Sequence, residues 1–511
     1  VDVRLRRSVA VVGALAMIAA AGFSARAQAY VFQLSVTSRT ASAPIPRSFL
    51  GLALEYNTIP RLAGATPQSV DPVFLQLLRN LDPSGSPVIR VGGQSTDRTW
   101  WPVAGMAQPL GVTYSLWPGW IADARSLVQA TGAKLLLGIN LEANRTRIAQ
   151  VEGARLLKGL GSQTINALEI GNEPDLYSSF PWYRTLNGRP IAWYSKTGNP
   201  VYARLPTYGP PQFVQEFSRT LGVLPRLPVA GPETGNGPWI GLFSQLLSRH
   251  SQVRMLTTHA YGLNQCITDP TSPQYPSVPN LLNIANSRDL LPGLGPYVAL
   301  AHRDGGSFRV DEMGSVSCNG RPGVSDTLAS ALWLMDSLFD IASQGVDGVN
   351  LHTYPNSDNG LFDFSRSRGQ WLGAVHPLYY GALMFAQAAP AGSRLLQIDS
   401  APQTWLRAWA TIGRDHRTRV LLINDSLRSS AYAVVHAPGP GLSASIERLH
   451  ARSAYSTSHI TLGGQSFGTD TATGVLPAPQ PQAVTSRAGS YGVTLPAGSA
   501  ALLTLRAAGK H

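Results

Sequence analysis

Residues 167–177 read Ala167-Leu-Glu-Ile-Gly-Asn-Glu-Pro-Asp-Leu-Tyr177, and this stretch decides how the rest of the 511-residue chain is organised. Ala-Leu-Glu-Ile-Gly is a short apolar run closed by glycine, the pattern of a buried strand. Asn172 and Glu173 follow at once, and Pro174 turns the chain away. An acidic residue at the carboxyl end of a buried strand is where a parallel barrel keeps its chemistry. A second such end occurs at Phe308-Arg-Val-Asp-Glu-Met313, which puts Glu312 in the equivalent place.

Outward from these two ends, short apolar runs alternate with longer helical stretches eight times between Ser48 and about Pro390. The strand candidates are Phe49–Glu55, Val88–Gly92, Leu135–Asn140, Ala167–Gly171, Pro228–Gly231, Met255–Tyr261, Phe308–Glu312 and Gly348–His352. Helices are expected over Pro72–Asn80, Trp120–Thr131, Arg145–Leu160, Phe213–Leu221 and Thr327–Ser343. Alternation at this spacing implies parallel strands, and eight units close a (β/α)8 barrel. Glu55, Asn140, Glu173, Glu233, His259, Tyr261, Glu312 and His352 all fall at strand ends, as an active face requires.

After Pro390 the texture changes. Trp405–Ala410, Arg419–Ile423, Ala431–His436, Ser445–Leu449 and Val493–Leu505 read as short strands between turns rich in Gly, Pro, Ser and Asp, and Gly464–Ala488 as a long loop. This predicts a β-sandwich, joined by the alternating stretch Val31–Val36 from the other end of the chain. The expected organisation is an export signal at 1–29, an N-terminal strand at 30–46, the barrel at 47–390 and the sandwich at 391–511.

The export signal is read from Arg4, Arg6 and Arg7, an apolar run from Val9 to Ala21, and small residues at Ala27-Gln28-Ala29. That run is short for a membrane span, so the remaining chain is expected outside the cytoplasm, secreted or periplasmic, without a span. Removing 1–29 takes away four Arg and one Asp and lowers the formal charge from +12 to +9. Such a balance suits an acidic polysaccharide or equally a solvated Arg-rich surface. No Lys/Arg run of the nucleic-acid kind occurs. Cys266 and Cys318, on the loops expected after the sixth and seventh strands, are either a disulfide pinning those loops or two buried thiols. HExxH, paired CxxC and dinucleotide-loop patterns are missing, so neither a metal nor another cofactor is expected.

Two carboxylates on strand ends are what glycosidic cleavage needs, one as acid/base and one as nucleophile. Glu173 is the acid/base candidate, and burial together with the charge of the second carboxylate is expected to raise its pKa. Glu312 is the nucleophile candidate. The fourth and seventh strands face each other across a barrel mouth, so a separation of about 5 Å is feasible. Asn172 is placed to hydrogen-bond a sugar 2-hydroxyl. Tyr261 and Arg90 are candidates for holding Glu312 ionised, or else core residues. Glu55 and His352 are candidates for glycone contacts. Asp311 is expected to point away from the interior, because neighbours on a strand alternate faces. Trp100, Trp101 and Trp117 read either as a sugar-stacking wall or as loop residues covering the barrel.

With these residues in place, the chain resembles glycoside hydrolase family 79. The segments around Glu173 and Glu312, Leu52-Ala-Leu-Glu-Tyr-Asn57, Ile89-Arg-Val-Gly-Gly-Gln-Ser-Thr-Asp97 and the ending Gly489–Leu505 carry the likeness. The resemblance implies a barrel with a sandwich built from both chain ends, and cofactor-free retaining hydrolysis of β-linked uronosides. It maps a sugar-contacting acidic residue onto Glu55. Bacterial members tend to hold the uronate with a tyrosine shortly after the nucleophile. Here Gly314-Ser-Val-Ser-Cys-Asn-Gly320 has none, leaving Tyr354 or the backbone amides around Asn359-Gly360 as candidates. The alternatives are a retaining β-glycosidase of the same clan acting on neutral sugars (β-xylosides or β-glucosides) and a catalytically silent carbohydrate-binding protein.

Overall fold

Eight strands, in chain order, close a parallel barrel: Leu50–Glu55, Val88–Gly92, Lys134–Ile139, Ile165–Ile170, Val229–Thr234, Val253–Asn264, Ser307–Ser317 and Gly348–His352. This computed structural model describes residues 30–507 apart from 84, 236–238, 240–241, 288–292, 402–404 and 440–441. The expected export signal at 1–29 lies outside the described residues. Among the described residues no helix is long and apolar enough to cross a membrane.

Four of these strands are buried along their whole length and the other four along most of it, because helices cover the outside while side chains fill the inside. The helices form where local chemistry favours them. Pro72 opens Pro72–Leu81, and the Asp71 carboxylate caps it by accepting from the Val73 and Phe74 amides. Helix Pro118–Thr131 stops at Gly132, whose φ of +70° an L side chain adopts only with strain. Helices Leu328–Ser343 and Pro377–Ala388 are apolar nearly all round, since they lie between the barrel and the C-terminal module. Phe339 stacks on Trp409 at 5.5 Å there, and the Trp409 indole donates to Asp336 at 2.7 Å.

The C-terminal module is one ten-stranded sheet folded over a core of its own. The N-terminal strand Tyr30–Thr40 sits inside it, parallel to Ala431–His436 and antiparallel to Arg394–Ser400. Phe32, Leu34 and Val36 alternate inward from that strand, as period-2 patterning predicts. Three details differ from the expectation. The stretch Gly464–Ala488 is not all loop, since Gln482–Val484 is a short strand paired with Leu442–His450. The run Val493–Leu505 is two strands, Ser490–Leu495 and Ser499–Ala507, because Pro496 and Gly498 make a turn between them. Strand Arg394–Ser400 is not marked in the sequence; its alternation is weak, and five of its seven residues are exposed or half-exposed.

Cys266 and Cys318 form a disulfide that closes a span of 52 residues and ties the loops after the sixth and seventh strands. Replacing both by serine is expected to cost about 2–4 kcal/mol, mainly through the freed unfolded chain. Urea unfolding of the double variant against the parent checks this. Equal midpoints would contradict it.

Candidate active site

Glu173 reaches the barrel mouth through an uncommon backbone. Its φ and ψ are +49° and +56°, left-handed for a non-glycine residue directly before a proline. The Glu173 amide donates to the Glu233 carbonyl at 3.0 Å, which fastens the turn to the fifth strand. Asp97, buried on the loop after the second strand, holds the same segment. One carboxylate oxygen accepts from the Asn172 amide at 3.0 Å and the Tyr177 hydroxyl at 2.7 Å. The other accepts from the Leu141 and Glu142 amides.

Glu312 comes from the opposite wall. An oxygen of Glu173, an oxygen of Glu312 and a nitrogen of His259 all lie within 4.8 Å of one another. Glu312 accepts from the Tyr261 hydroxyl at 2.7 Å and from Arg90 Nη1 at 2.7 Å, and lies 3.2 Å from His352 Nδ1. Burial by itself would raise its carboxyl. The charges of His352 and His259, the contact with His352 and the Arg90 guanidinium outweigh burial and hold it well below the usual range. Tyr261 is pushed well up by burial and by the Glu312 charge, so it stays a proton donor.

Arg90 is fully buried at the centre. It donates through Nε to Glu169 at 2.7 Å, through Nη2 to Glu233 at 2.8 Å and to the Asn172 carbonyl oxygen at 3.0 Å, besides Glu312. With that oxygen engaged, Asn172 has its amide N–H groups to offer a sugar hydroxyl. Glu233 and Asp311 are raised well above ordinary carboxyls, by burial first and then by the charge of Glu169.

Glu55 and His352 meet at the end of the first and eighth strands. The carboxylate accepts from the Ser95 amide at 2.7 Å and lies 3.2 Å from His352 Nε2. Gly93 is required here, because its φ is +64° and a Cβ would lie 2.5 Å from Glu55 Oε1. Burial would lower the His352 imidazole, but Glu312 and Glu55 hold it up at about 10. Tyr354 packs its ring against His352 at 5.0 Å and donates its hydroxyl to Asn319.

Three expectations need correction. Asp311 does not face outward: it is fully buried, with Oδ2 3.6 Å from Arg90 Nε. Its strand carries an irregularity, since Thr258 pairs with Val310 but His259 with Glu312, and the extra residue lets Asp311 and Glu312 both reach the interior. The backbone amides of Asn359 and Gly360 are not available to a carboxylate, because they donate to the Ser357 hydroxyl and carbonyl in their own tight turn. The three loop tryptophans do not form a wall. Trp100 is buried with Val103, Val112 and Ile148, Trp101 lies under Arg155, and Trp117 is exposed beside Tyr114. Tyr177 and Phe180 line a shallow cleft beside Glu173 together with Arg98 and Asn172.

His259 is the residue whose importance the sequence reading missed. It was visible as a strand-end polar group, but its partner Glu173 comes from a different strand: Nδ1 lies 2.9 Å from Glu173 Oε1. Glu173, His259 and Glu312, and likewise Glu233, His259 and Asp311, have the spacing of a cation site. Arg90 and the two imidazoles already set positive charge against Glu312.

The arrangement can protonate a leaving oxygen from one side of a sugar and attack its anomeric carbon from the other. Comparison with known proteins agrees. Residues 408–502 match the model of the glycosyl hydrolase family 79 C-terminal beta domain. A β-glucuronidase of Aspergillus niger is 24% identical over 91% of this chain and 92% of that protein. A β-glucuronidase of Neurospora crassa is 26% identical over 77% of this chain and 74% of its own. Among solved structures, a 4-O-α-L-rhamnosyl-β-D-glucuronidase from Fusarium oxysporum 12S superimposes with a TM-score of 0.66 at 19% identity, over 93% of this chain and all of that one. A family 51 arabinofuranosidase from Xanthomonas axonopodis pv. citri does so with a TM-score of 0.62 at 13% identity, again over 93% of this chain and all of its own. At these identities the structures speak for the shared fold.

Proposed function

We propose that this chain, a member of glycoside hydrolase family 79, cleaves β-linked uronosides with retention of configuration. The observation that carries this reading is the approach of the Glu173 and Glu312 carboxylates to within 4.8 Å. That spacing suits direct attack and leaves no room for the water that an inverting enzyme places between its two acids, whose groups stand about 6.5–9.5 Å apart. Glu312, held ionised by Arg90, Tyr261 and His352, attacks the anomeric carbon while Glu173 protonates the leaving oxygen. Water then attacks the glycosyl ester, with Glu173 taking its proton and Glu312 leaving as carboxylate. Asn172 supports the transition state through the 2-hydroxyl, and Glu55 takes a further hydroxyl of the glycone.

The uronate preference is supported by the glucuronidase relatives and by the His352 imidazole, held charged beside Glu55. Tyr354, beside His352, remains the side-chain candidate for contact with the sugar carboxylate. Export belongs to the same reading. The Cys266–Cys318 bond supports it, because disulfides persist in oxidising compartments.

A panel of nitrophenyl β-glycosides tests the assignment. Cleavage of the glucuronide is expected. Cleavage of the xyloside or glucoside alone would move the chain to neutral substrates, and no cleavage at all would point to a silent carbohydrate-binding protein. NMR of the first-formed product is expected to show the β-anomer. An α-anomer would overturn double displacement.

A further inference from the structure

His259 lies between the two catalytic candidates in a way that neither role accounts for. Its side chain is 1% exposed, with Nδ1 2.9 Å from Glu173 Oε1 and 3.9 Å from Glu312 Oε1. Nε2 faces Asp311 Oδ1 at 4.0 Å and has no hydrogen-bond partner among the described residues. Glu233 approaches from the neighbouring strand, within 4.8 Å of a ring nitrogen. The imidazole therefore packs among four carboxyl groups, and Arg90 lies behind Glu312, Glu233 and Asp311.

Building on the retaining reading above, we infer that the proton destined for the leaving oxygen rests on His259 Nδ1, and that this imidazole changes charge in step with Glu312. In the resting site His259 is an imidazolium donating to the Glu173 carboxylate, and Glu312 is ionised. As Glu312 forms its bond to the anomeric carbon and the glycosidic C–O bond breaks, Nδ1 gives its proton to Glu173 and Glu173 gives one to the departing oxygen. The glycosyl-enzyme then holds a neutral imidazole, a Glu173 carboxylate and an uncharged ester. The three groups carry a net charge of −1 before and after the step. In the second half, water supplies hydroxide to the sugar and a proton to Glu173, which passes it back to Nδ1 as Glu312 departs.

The electrostatics agree with this cycle. Burial would pull the imidazole down, but the Glu312 charge first and then the hydrogen bond to Glu173 hold it up at about 9. Asp311 and Glu233 are themselves raised by burial and by Glu169, so they are poor substitutes for a lost anion. Esterifying Glu312 thus removes the strongest support for the imidazolium while Arg90 keeps its positive charge nearby. An imidazole with both nitrogens bonded to neutral groups would have no reason to respond to Glu312. His259 does not touch the substrate in this scheme; it is a positioning residue acting through Glu173.

The test is 15N NMR of the histidine rings in the whole enzyme, free and after trapping with a 2-deoxy-2-fluoro-β-uronosyl fluoride, with His259 assigned through H259N. Both ring nitrogens are expected to be protonated at neutral pH in the free enzyme and only one in the trapped form. A doubly protonated His259 in both forms would overturn this inference alone. Failure of the reagent to label Glu312 would instead sink the retaining reading, and the inference with it. Kinetics of H259N, which keeps a donor at the Nδ1 position but cannot hold the proton, give a second readout. The basic limb of kcat/KM is expected to move at least one pH unit lower. Alkyl uronosides should lose at least ten times more kcat than nitrophenyl uronosides, whose leaving groups need little protonation. An unmoved limb with equal losses on both substrates would mean that His259 is only packing. If H259N does not fold, assignment by elimination among the ten histidines keeps the NMR test standing.

Discussion

Glu312→Gln is expected to lower kcat/KM on a cleaved uronoside by about 10⁴-fold or more, the scale seen when the nucleophile of an interdependent catalytic group is removed. Glutamine matches the shape of the carboxylate, and its carbonyl oxygen can still accept from Tyr261 or Arg90, so the fold should survive. What it lacks is the anion. An amide does not displace a glycosidic oxygen, and the charge that Arg90, His352 and His259 are arranged to meet is gone. Glu312→Gly makes the same point through product chemistry. With the carboxylate removed, added azide can occupy the same side of the sugar and attack a nitrophenyl uronoside there, giving an α-glycosyl azide. Near-full turnover by Glu312→Gln, or a β-azide from Glu312→Gly, would show that the nucleophile lies elsewhere. In the parent enzyme the acid limb of kcat/KM is expected below the ordinary carboxylate range, because the group that must stay ionised is held down by those same cations.

Arg90→Met is expected to be the most destabilising single change near the site, at about 3–5 kcal/mol, the usual loss when one partner of a buried ionic network is removed. Four fully or almost fully buried carboxyl groups converge on this guanidinium, three of them within 2.8 Å. Methionine fills much of the volume but leaves those acids facing one another in a medium that solvates charge poorly. Lysine is a poor replacement, since one ammonium cannot reproduce donors that diverge to Glu169, Glu233, Glu312 and Asn172. The sign of the pH effect follows from Glu312. Its folded-state pKa is depressed, so it contributes stability above its unfolded pKa and loses that contribution as pH falls towards the folded value. The gap between parent and Arg90→Met should therefore narrow on acidification. Urea unfolding at two pH values measures it, and a gap that widens in acid would contradict the network described here. Adding Glu169→Gln to Arg90→Met should recover part of the loss, because it removes one uncompensated acid.

The two halves of the site differ in how visible they are in one dimension. Glu173 and Glu312 could be found because each is announced locally: an apolar run, then an acidic residue, with glycine and proline marking where the first strand must stop. Asp311 was misplaced for a physical reason. Alternation of faces holds only while the ladder is regular, and the extra residue opposite Thr258 and His259 is a property of two strands together. The backbone amides at Asn359-Gly360 were misjudged similarly, because a tight turn consumes donors that look available in an isolated sequence. Arg90 was recognised as a partner of Glu312, but not as the common partner of three further acids and Asn172.

From its residues alone, the chain determined its eight-strand alternation, the change to β texture after Pro390, and which acidic side chains stand at strand ends, since each depends on the order of neighbours along the backbone. Only the closed barrel decided that Glu173 and Glu312 meet, that His259 lies between them, that Arg90 binds the acids beneath, and that Cys266 bonds to Cys318. Those relations join residues tens to hundreds of positions apart. Their strength comes from burial, and no local pattern says which charges will share one dry interior.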